Sequence, residues 1–321
     1  MPESARAQLT QPVSDHTAIG KLCKAVSSMI ELDGLTKSYG RKQALAEVTL
    51  HVPAGVVFGY LGPNGAGKTT TIRILVGLMR PTSGSVSVCG ADTVRAREAA
   101  QRHIGYLPGQ FVAYPDMTAQ HYLTYLANLR GGVDPTVRDT LIKRLDLDPT
   151  VRIGAMSHGN RQKVGIVQAF MSEPDLLVLD EPTTGLDPLM QREFLAMIRE
   201  ARDAGRTVFL SSHVLSEVQA VADTVGLLRQ GRLIEIRSVA DLTGRAPHQI
   251  DLRFAGDSPD SSVLRRIASV REVQRDTTTV HIELSGSTAE LLKAIAPYDV
   301  VDITSREPDL EEIFLTYYGQ G

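Results

Sequence analysis

Residues 62–69 read Gly-Pro-Asn-Gly-Ala-Gly-Lys-Thr and fit the pattern GxxxxGK[ST] throughout. They follow the apolar run Val56–Tyr60 and precede a good helix-forming stretch, the setting in which this pattern means a phosphate-binding loop. In such a loop Gly62, Pro63, Asn64, Gly65, Ala66 and Gly67 let backbone N–H groups turn inward around phosphate. The following helix adds positive potential at its N-terminus. Lys68 is then placed to hold the β- and γ-phosphates of ATP and Thr69 to ligate Mg²⁺, with Thr70 completing the nucleotide-binding set. A second constellation is Leu176-Leu177-Val178-Leu179-Asp180-Glu181, an apolar strand ending in two carboxylates. Ligands bind at the C-terminal ends of strands in open α/β sheets. Asp180 can therefore hold the metal through water, and Glu181 can orient and deprotonate an attacking water. By itself such an ending reads as a solvated strand edge; the phosphate loop earlier in the chain gives it chemistry.

From about Ile30 to Ile236 these residues resemble the ATP-binding cassette (ABC) ATPases. Met156-Ser157-His158-Gly159-Asn160-Arg161-Gln162 is similar to the family's signature segment, usually Leu-Ser-Gly-Gly-Gln, with His158 replacing the first glycine and Asn160 the final glutamine. The resemblance implies that Ser157 and Gly159 offer a hydroxyl and an N–H to the γ-phosphate of ATP bound by the opposite subunit. A serine helix cap accounts for Ser157 locally as well. Gly185-Leu186-Asp187 resembles the family's D-loop, which makes Asp187 a link between the two sites of a dimer. His213 resembles the switch histidine that touches γ-phosphate and holds the catalytic water, and Tyr39 resembles the aromatic that stacks on adenine. The family also places a glutamine, which reaches Mg²⁺ and the attacking water, just after a Gly-Tyr-Leu-Pro-like strand end. Here Gly105-Tyr106-Leu107-Pro108 is followed by Gly109 and only then Gln110. Either Gln110 serves after a one-residue shift or that function is absent. The implied catalytic set is Glu181, His213, Lys68 and Gln110, with Thr69, Asp180 and Gln110 at the metal.

Short apolar strands alternate with amphipathic helices from Met29 to about Ile236, which argues for α/β layering. Strands are expected at Val56–Tyr60, Ser85–Cys89, Leu176–Leu179, Thr207–Ser211 and Thr224–Leu228. Helices are expected at Lys68–Leu78, Thr118–Leu129, Val137–Leu145, Asn160–Met171, Leu189–Ala204 and Val214–Val221. Thr118–Met171 holds helices with no strand between them, so residues 112–172 form a helical lobe. Beyond it the order βαββαβ is the ferredoxin-like arrangement, followed by a last helix over Pro308–Tyr318. The expected fold is an α/β P-loop ABC ATPase domain with a helical lobe, plus a small ferredoxin-like α+β domain. Its divisions are a flexible extension (1–28), the ATP-binding domain (29–240) and a C-terminal accessory domain (245–321).

Of 321 residues, 34 are Lys or Arg and 37 Asp or Glu, so the net charge is −3. That is not the footprint of a dedicated nucleic-acid binder. Cys23 and Cys89 form no CxxC pair and give no metal-ligand spacing. No run approaches the roughly 18 apolar residues of a membrane span. The signature segment and the C-terminal stretch Glu307–Tyr318 look like antibiotic-exporter ATPases of the daunorubicin-resistance type. That resemblance implies a homodimeric, ATP-hydrolysing subunit at the cytoplasmic face of the membrane, which drives efflux of drugs, antibiotics or lipids through a separate membrane permease. Val112–Tyr125 is the implied permease-docking segment; Tyr114, Tyr122, Leu123 and Tyr125 either pack on the permease or fill the lobe's own core, Leu123 suiting the core and Tyr114 the interface. The alternative is a soluble, non-transport ABC ATPase with a regulatory C-terminal domain.

Overall fold

The structure, a computed structural model, describes residues 28–245, 248–267, 270–276, 279–284 and 287–306; the expected helix Pro308–Tyr318 and residues 1–27 of the expected extension lie outside these. In chain order the strands are β1 (Ile30–Tyr39), β2 (Lys42–Val52), β3 (Val57–Leu61), β4 (Ser83–Val88), β5 (Ala91–Asp92), β6 (Ile104–Leu107), β7 (Leu176–Asp180), β8 (Thr207–Ser212), β9 (Thr224–Arg229) and β10 (Arg232–Ser238). The helices among them are α1 (Lys68–Leu75), α2 (Arg97–Arg102), α3 (Ala119–Leu129), α4 (Pro135–Arg144), α5 (His158–Phe170), α6 (Pro188–Asp203), α7 (Leu215–Val221) and α8 (Val239–Arg245).

Strand periodicity explains the layering. The central sheet runs β10-β9-β3-β8-β7-β6, parallel except for the antiparallel edge strand β10. Its parallel strands are buried on both faces, as such strands are. Phe58, Tyr60, Leu176, Val178 and Phe209 face one core; there α1 and the antiparallel sheet β2-β1-β4-β5 cover them with Ile72, Leu75, Ile30, Leu32 and Leu50. Val57, Leu61, Leu177, Leu179, Val208 and Leu210 face the other, beneath α5, α6 and the helices of residues 112–172. Alternation by two thus sends each strand into two cores and leaves only its C-terminal end free for chemistry.

The helices start where their caps dictate. Thr118, Asp134, Ser157 and Asp187 each accept a backbone N–H of the first turn through the side chain, and Pro135 and Pro188 occupy the first helical position. The expected starts at Val137, Asn160 and Leu189 were therefore one to two residues late. Helix α1 stops at Leu75 rather than Leu78, since Gly77 takes φ +73°. Tyr122, expected on a docking surface, is buried, and its hydroxyl donates to Gln168 Oε1 at 2.6 Å; Tyr114 and Tyr125 stay 57% and 44% exposed.

Further along lie β11 (His248–Phe254), α9 (Ser261–Leu264), β12 (Val270–Arg275), β13 (Thr279–Leu284), α10 (Ala289–Ile295) and β14 (Val300–Arg306). The four strands pair antiparallel in the order β12-β13-β11-β14. Ile250, Leu252, Val280 and Ile282 bury one sheet face against Leu264, Leu291 and Ile295. No helix among the described residues is long and apolar enough to cross a membrane.

Candidate active site

A cleft of about 980 Å³ opens at the C-terminal end of the central sheet. Its walls include Tyr39, Pro63, Asn64, Gly65, Gly67, Lys68, Thr69, Thr70, Glu181 and His213, all expected from the sequence. The loop between β3 and α1 enters its helix through Gly67, at φ +114°, with no side-chain cap on the first turn. A Cβ at Gly67 would lie 2.8 Å from Ala44 O and 2.7 Å from Leu45 Cδ2. Glycine is therefore demanded both by the conformation and by the space. The outcome is a helix start with no side chain over its N–H groups, which is what an anion needs.

Lys68 is buried at the cleft floor. Its Nζ donates to Gly62 O at 2.6 Å and lies 3.7 Å from Glu181 Oε1. Glu181 Oε2 in turn pairs with His213 Nδ1, so ammonium, carboxylate and imidazole form one chain along the floor. Glu181 sits at φ +50°, an uncommon conformation for a glutamate. Its N–H donates to Ser211 O at 3.0 Å, and Thr183 Oγ1 just beyond donates to Glu217 Oε2 at 2.7 Å. Burial raises the Glu217 carboxyl pKa, with the Glu181 carboxylate adding to it; the Thr183 hydrogen bond and His213 act the other way. Asp180 is buried beneath Glu181, and its Oδ1 accepts from Ser211 Oγ at 2.6 Å.

Gly109 lies against Asp180: a Cβ there would be 3.5 Å from Asp180 Oδ2. Gly109 is also a cleft residue, whereas Gln110 is exposed and is not among the cleft walls. The one-residue shift expected for Gln110 thus puts glycine where the family's glutamine would stand. Burial and the nearby Asp180 charge push the Tyr106 hydroxyl up to about 12, which keeps it neutral beside the site. Tyr39 is half-exposed at the cleft rim, with its hydroxyl 3.0 Å from Met79 Sδ and Lys37 Nζ 5.4 Å from its ring centroid.

Ser157, Gly159 and Asp187 are not brought to this cleft. Ser157 Oγ caps α5 by accepting from Asn160 N at 3.2 Å, and Asp187 Oδ1 caps α6 by accepting from Leu189 N and Met190 N at 3.0 Å. Lys42, Gln43, Ala44, Arg73, Met79, Thr184 and Gln230 line the cleft without having been foreseen. Lys42, Gln43 and Ala44 come from the start of β2, Gln230 from the β9–β10 turn, and the others from positions that carry no fixed spacing to the motifs. The β9–β10 turn is pinned there by Gly231, whose N–H donates to Ala66 O at 2.8 Å.

Residues 45–184 match the family described as ABC transporter. The chain is 31% identical over 303 residues to the bacitracin transport ATP-binding protein of Bacillus licheniformis, covering 92% of this chain and 99% of that protein. It is 34% identical over 304 residues to a daunorubicin resistance ATP-binding protein of Streptomyces coeruleorubidus, covering 90% and 96%. A solved ATP-binding subunit of an ABC transporter superposes with a TM-score of 0.63 at 31% identity, covering 67% of this chain and 92% of that one. The chain belongs to the ABC transporter ATP-binding proteins and is an ATPase.

Proposed function

We propose that this chain is the ATP-hydrolysing subunit of an exporter and drives efflux of drugs, antibiotics or lipids through a separate membrane permease. The relatives named for bacitracin transport and daunorubicin resistance support the export reading across nearly their whole length. The observation that carries the chemistry is the Lys68–Glu181–His213 chain on the cleft floor. With ATP in the cleft, Lys68 and the free N–H groups of α1 neutralise the β- and γ-phosphates. Glu181 takes a proton from the attacking water, and His213 holds that carboxylate in line. Tyr39 gives adenine a face to stack on.

The residues present fit Mg²⁺. Asp180 is a buried carboxylate with one oxygen committed to Ser211 and the other against the side-chain-free Gly109, and Thr69 brings a hydroxyl to the same cleft. Bound there by Thr69 and Asp180, the ion would screen phosphate charge. Gln110 is left out of this set because it is exposed and it is Gly109 that packs against Asp180.

Ser157 and Gly159 start a 13-residue helix away from the cleft of their own chain. That supports a head-to-tail homodimer at the cytoplasmic face of the membrane, each nucleotide lying between the Lys68 loop of one copy and the Ser157 turn of the other. The exposed Tyr114 supports docking of the permease beside the helices of residues 112–172. The sheet order and antiparallel pairing of β11–β14 support a separate, ferredoxin-like accessory domain over 245–321, after an ATP-binding domain over 29–240.

Glu181→Gln tests this reading. It is expected to bind Mg·ATP, to lose turnover by about 10³-fold and to accumulate as an ATP-bound dimer in size-exclusion chromatography. Hydrolysis at the wild-type rate would contradict it.

A further inference from the structure

We infer that Gln162 is a positioning residue for hydrolysis, tying the helix that begins at Ser157 to the peptide directly after Glu181. Gln162 lies on α5, one turn beyond the exposed Ser157–Gly159 edge, and is 1% exposed. Its Nε2 donates at 2.9 Å to the carbonyl oxygen of Pro182, the residue that follows Glu181. Its Oε1 is the one buried side-chain polar atom without a hydrogen-bond partner among the described residues. An orphaned buried acceptor is destabilising, and the bond from Nε2 to Pro182 O is what offsets it. The amide is explained by what its donor holds.

The same helix meets the loop a second time. A Cβ on Gly159 would lie 2.6 Å from Gly185 O, and one on Gly185 would lie 2.3 Å from His158 Cδ2. The first two turns of α5 therefore grip the segment after Glu181 at Pro182 and at Gly185. Across the loop, Glu217 holds Thr183 and Ser211 holds the Glu181 N–H. Glu181 keeps its uncommon φ of +50° because these bonds over-determine it. The inference rests on the two-copy site proposed above. When Ser157 and Gly159 seat on the nucleotide of the partner copy, any displacement of α5 reaches Glu181 of the same chain through Gln162. One site of the dimer thereby adjusts the other.

Two variants test this in the full chain. Gln162→Met keeps the volume and removes both polar atoms. Its ATP affinity should stay within about twofold, while kcat falls about tenfold, a change of about 1.4 kcal/mol in the barrier. Its Hill coefficient for ATP should fall towards one. Gln162→Glu provides a readout that packing alone does not move. Burial raises a carboxyl pKa, and only the protonated form can donate to Pro182 O. Its kcat relative to wild type should therefore rise as the pH is lowered. Unchanged kcat in both variants, a defect confined to KM, or a pH-independent Gln162→Glu ratio would each overturn the inference. Those failures leave the two-copy site standing, whereas full turnover in Glu181→Gln strikes at that site itself.

Discussion

Two helix N-termini in this chain carry glycine and a small hydroxyl residue, yet they are built for opposite situations. The helix entered through Gly67 has no side-chain cap, sits over a buried lysine and opens into a cleft. The helix entered through Ser157 is capped by its own serine, is exposed at its first residues and lies outside that cleft. Orphan N–H groups at a helix start need a partner. The first start is arranged to receive it from a phosphate. The second receives it from Ser157 and keeps Gly159 as a surface that another molecule can approach. In the proposed two-copy site, one end is one half and the other is the half that a second copy brings.

Variants should separate the two ends by size of effect. Lys68→Ala removes the buried cation and leaves Glu181 without its ammonium partner, so ATP affinity should fall by about 10²-fold in an equilibrium binding assay. An unchanged affinity would break the contrast outright. Gly67→Ala forces a side chain into φ +114° and against Ala44 O. It should cost about 1–3 kcal/mol of stability by denaturant titration and weaken nucleotide binding with it. Ser157→Ala should cost only about 1 kcal/mol, the worth of a cap, while nucleotide binding to the isolated chain stays unchanged.

Much of the phosphate loop is legible in the sequence because cradling phosphate demands glycines at fixed spacing, followed by Lys68 and Thr69. The buried strand ending in Asp180 and Glu181 is equally plain. In the antiparallel sheet the expected Ser85–Cys89 matches β4 (Ser83–Val88), while the extent of β1 and the whole of β2 are not legible. Gly34 in β1 and Glu47 in β2 both adopt positive φ, and the register of the two strands shifts along that stretch. These irregularities break the alternation that marks a strand. Lys42 reaches the cleft from the very start of β2 and Gln230 from a hairpin turn, where no periodicity marks them. Tyr122 and Tyr114 look alike as sequence, and only the Gln168 acceptor on α5 decides that Tyr122 turns inward.

The smallest effect concerns Glu217. Its pKa is raised from the usual 4.5, so the folded chain holds this proton more tightly than the unfolded chain does. Stability attributable to it is present below the unfolded pKa and is lost as pH rises through the folded value. Glu217→Gln should therefore gain stability relative to wild type as pH is raised from about 4.5 through that window. Thermal melts across this range check the sign, and a difference independent of pH would remove the group from the account.

Complementation between two inactive variants tests the central claim most directly. Ser157→Arg keeps the Lys68 loop and loses the capping turn, and Lys68→Ala does the reverse. Neither should hydrolyse ATP alone. In a mixed dimer the intact loop of one copy meets the intact Ser157 turn of the other, so mixing should restore hydrolysis. The recovered rate should reach at most about a quarter of wild type, since random pairing makes half the dimers mixed and each holds one intact site. Absence of any recovery while mixed dimers demonstrably form would contradict the two-copy site.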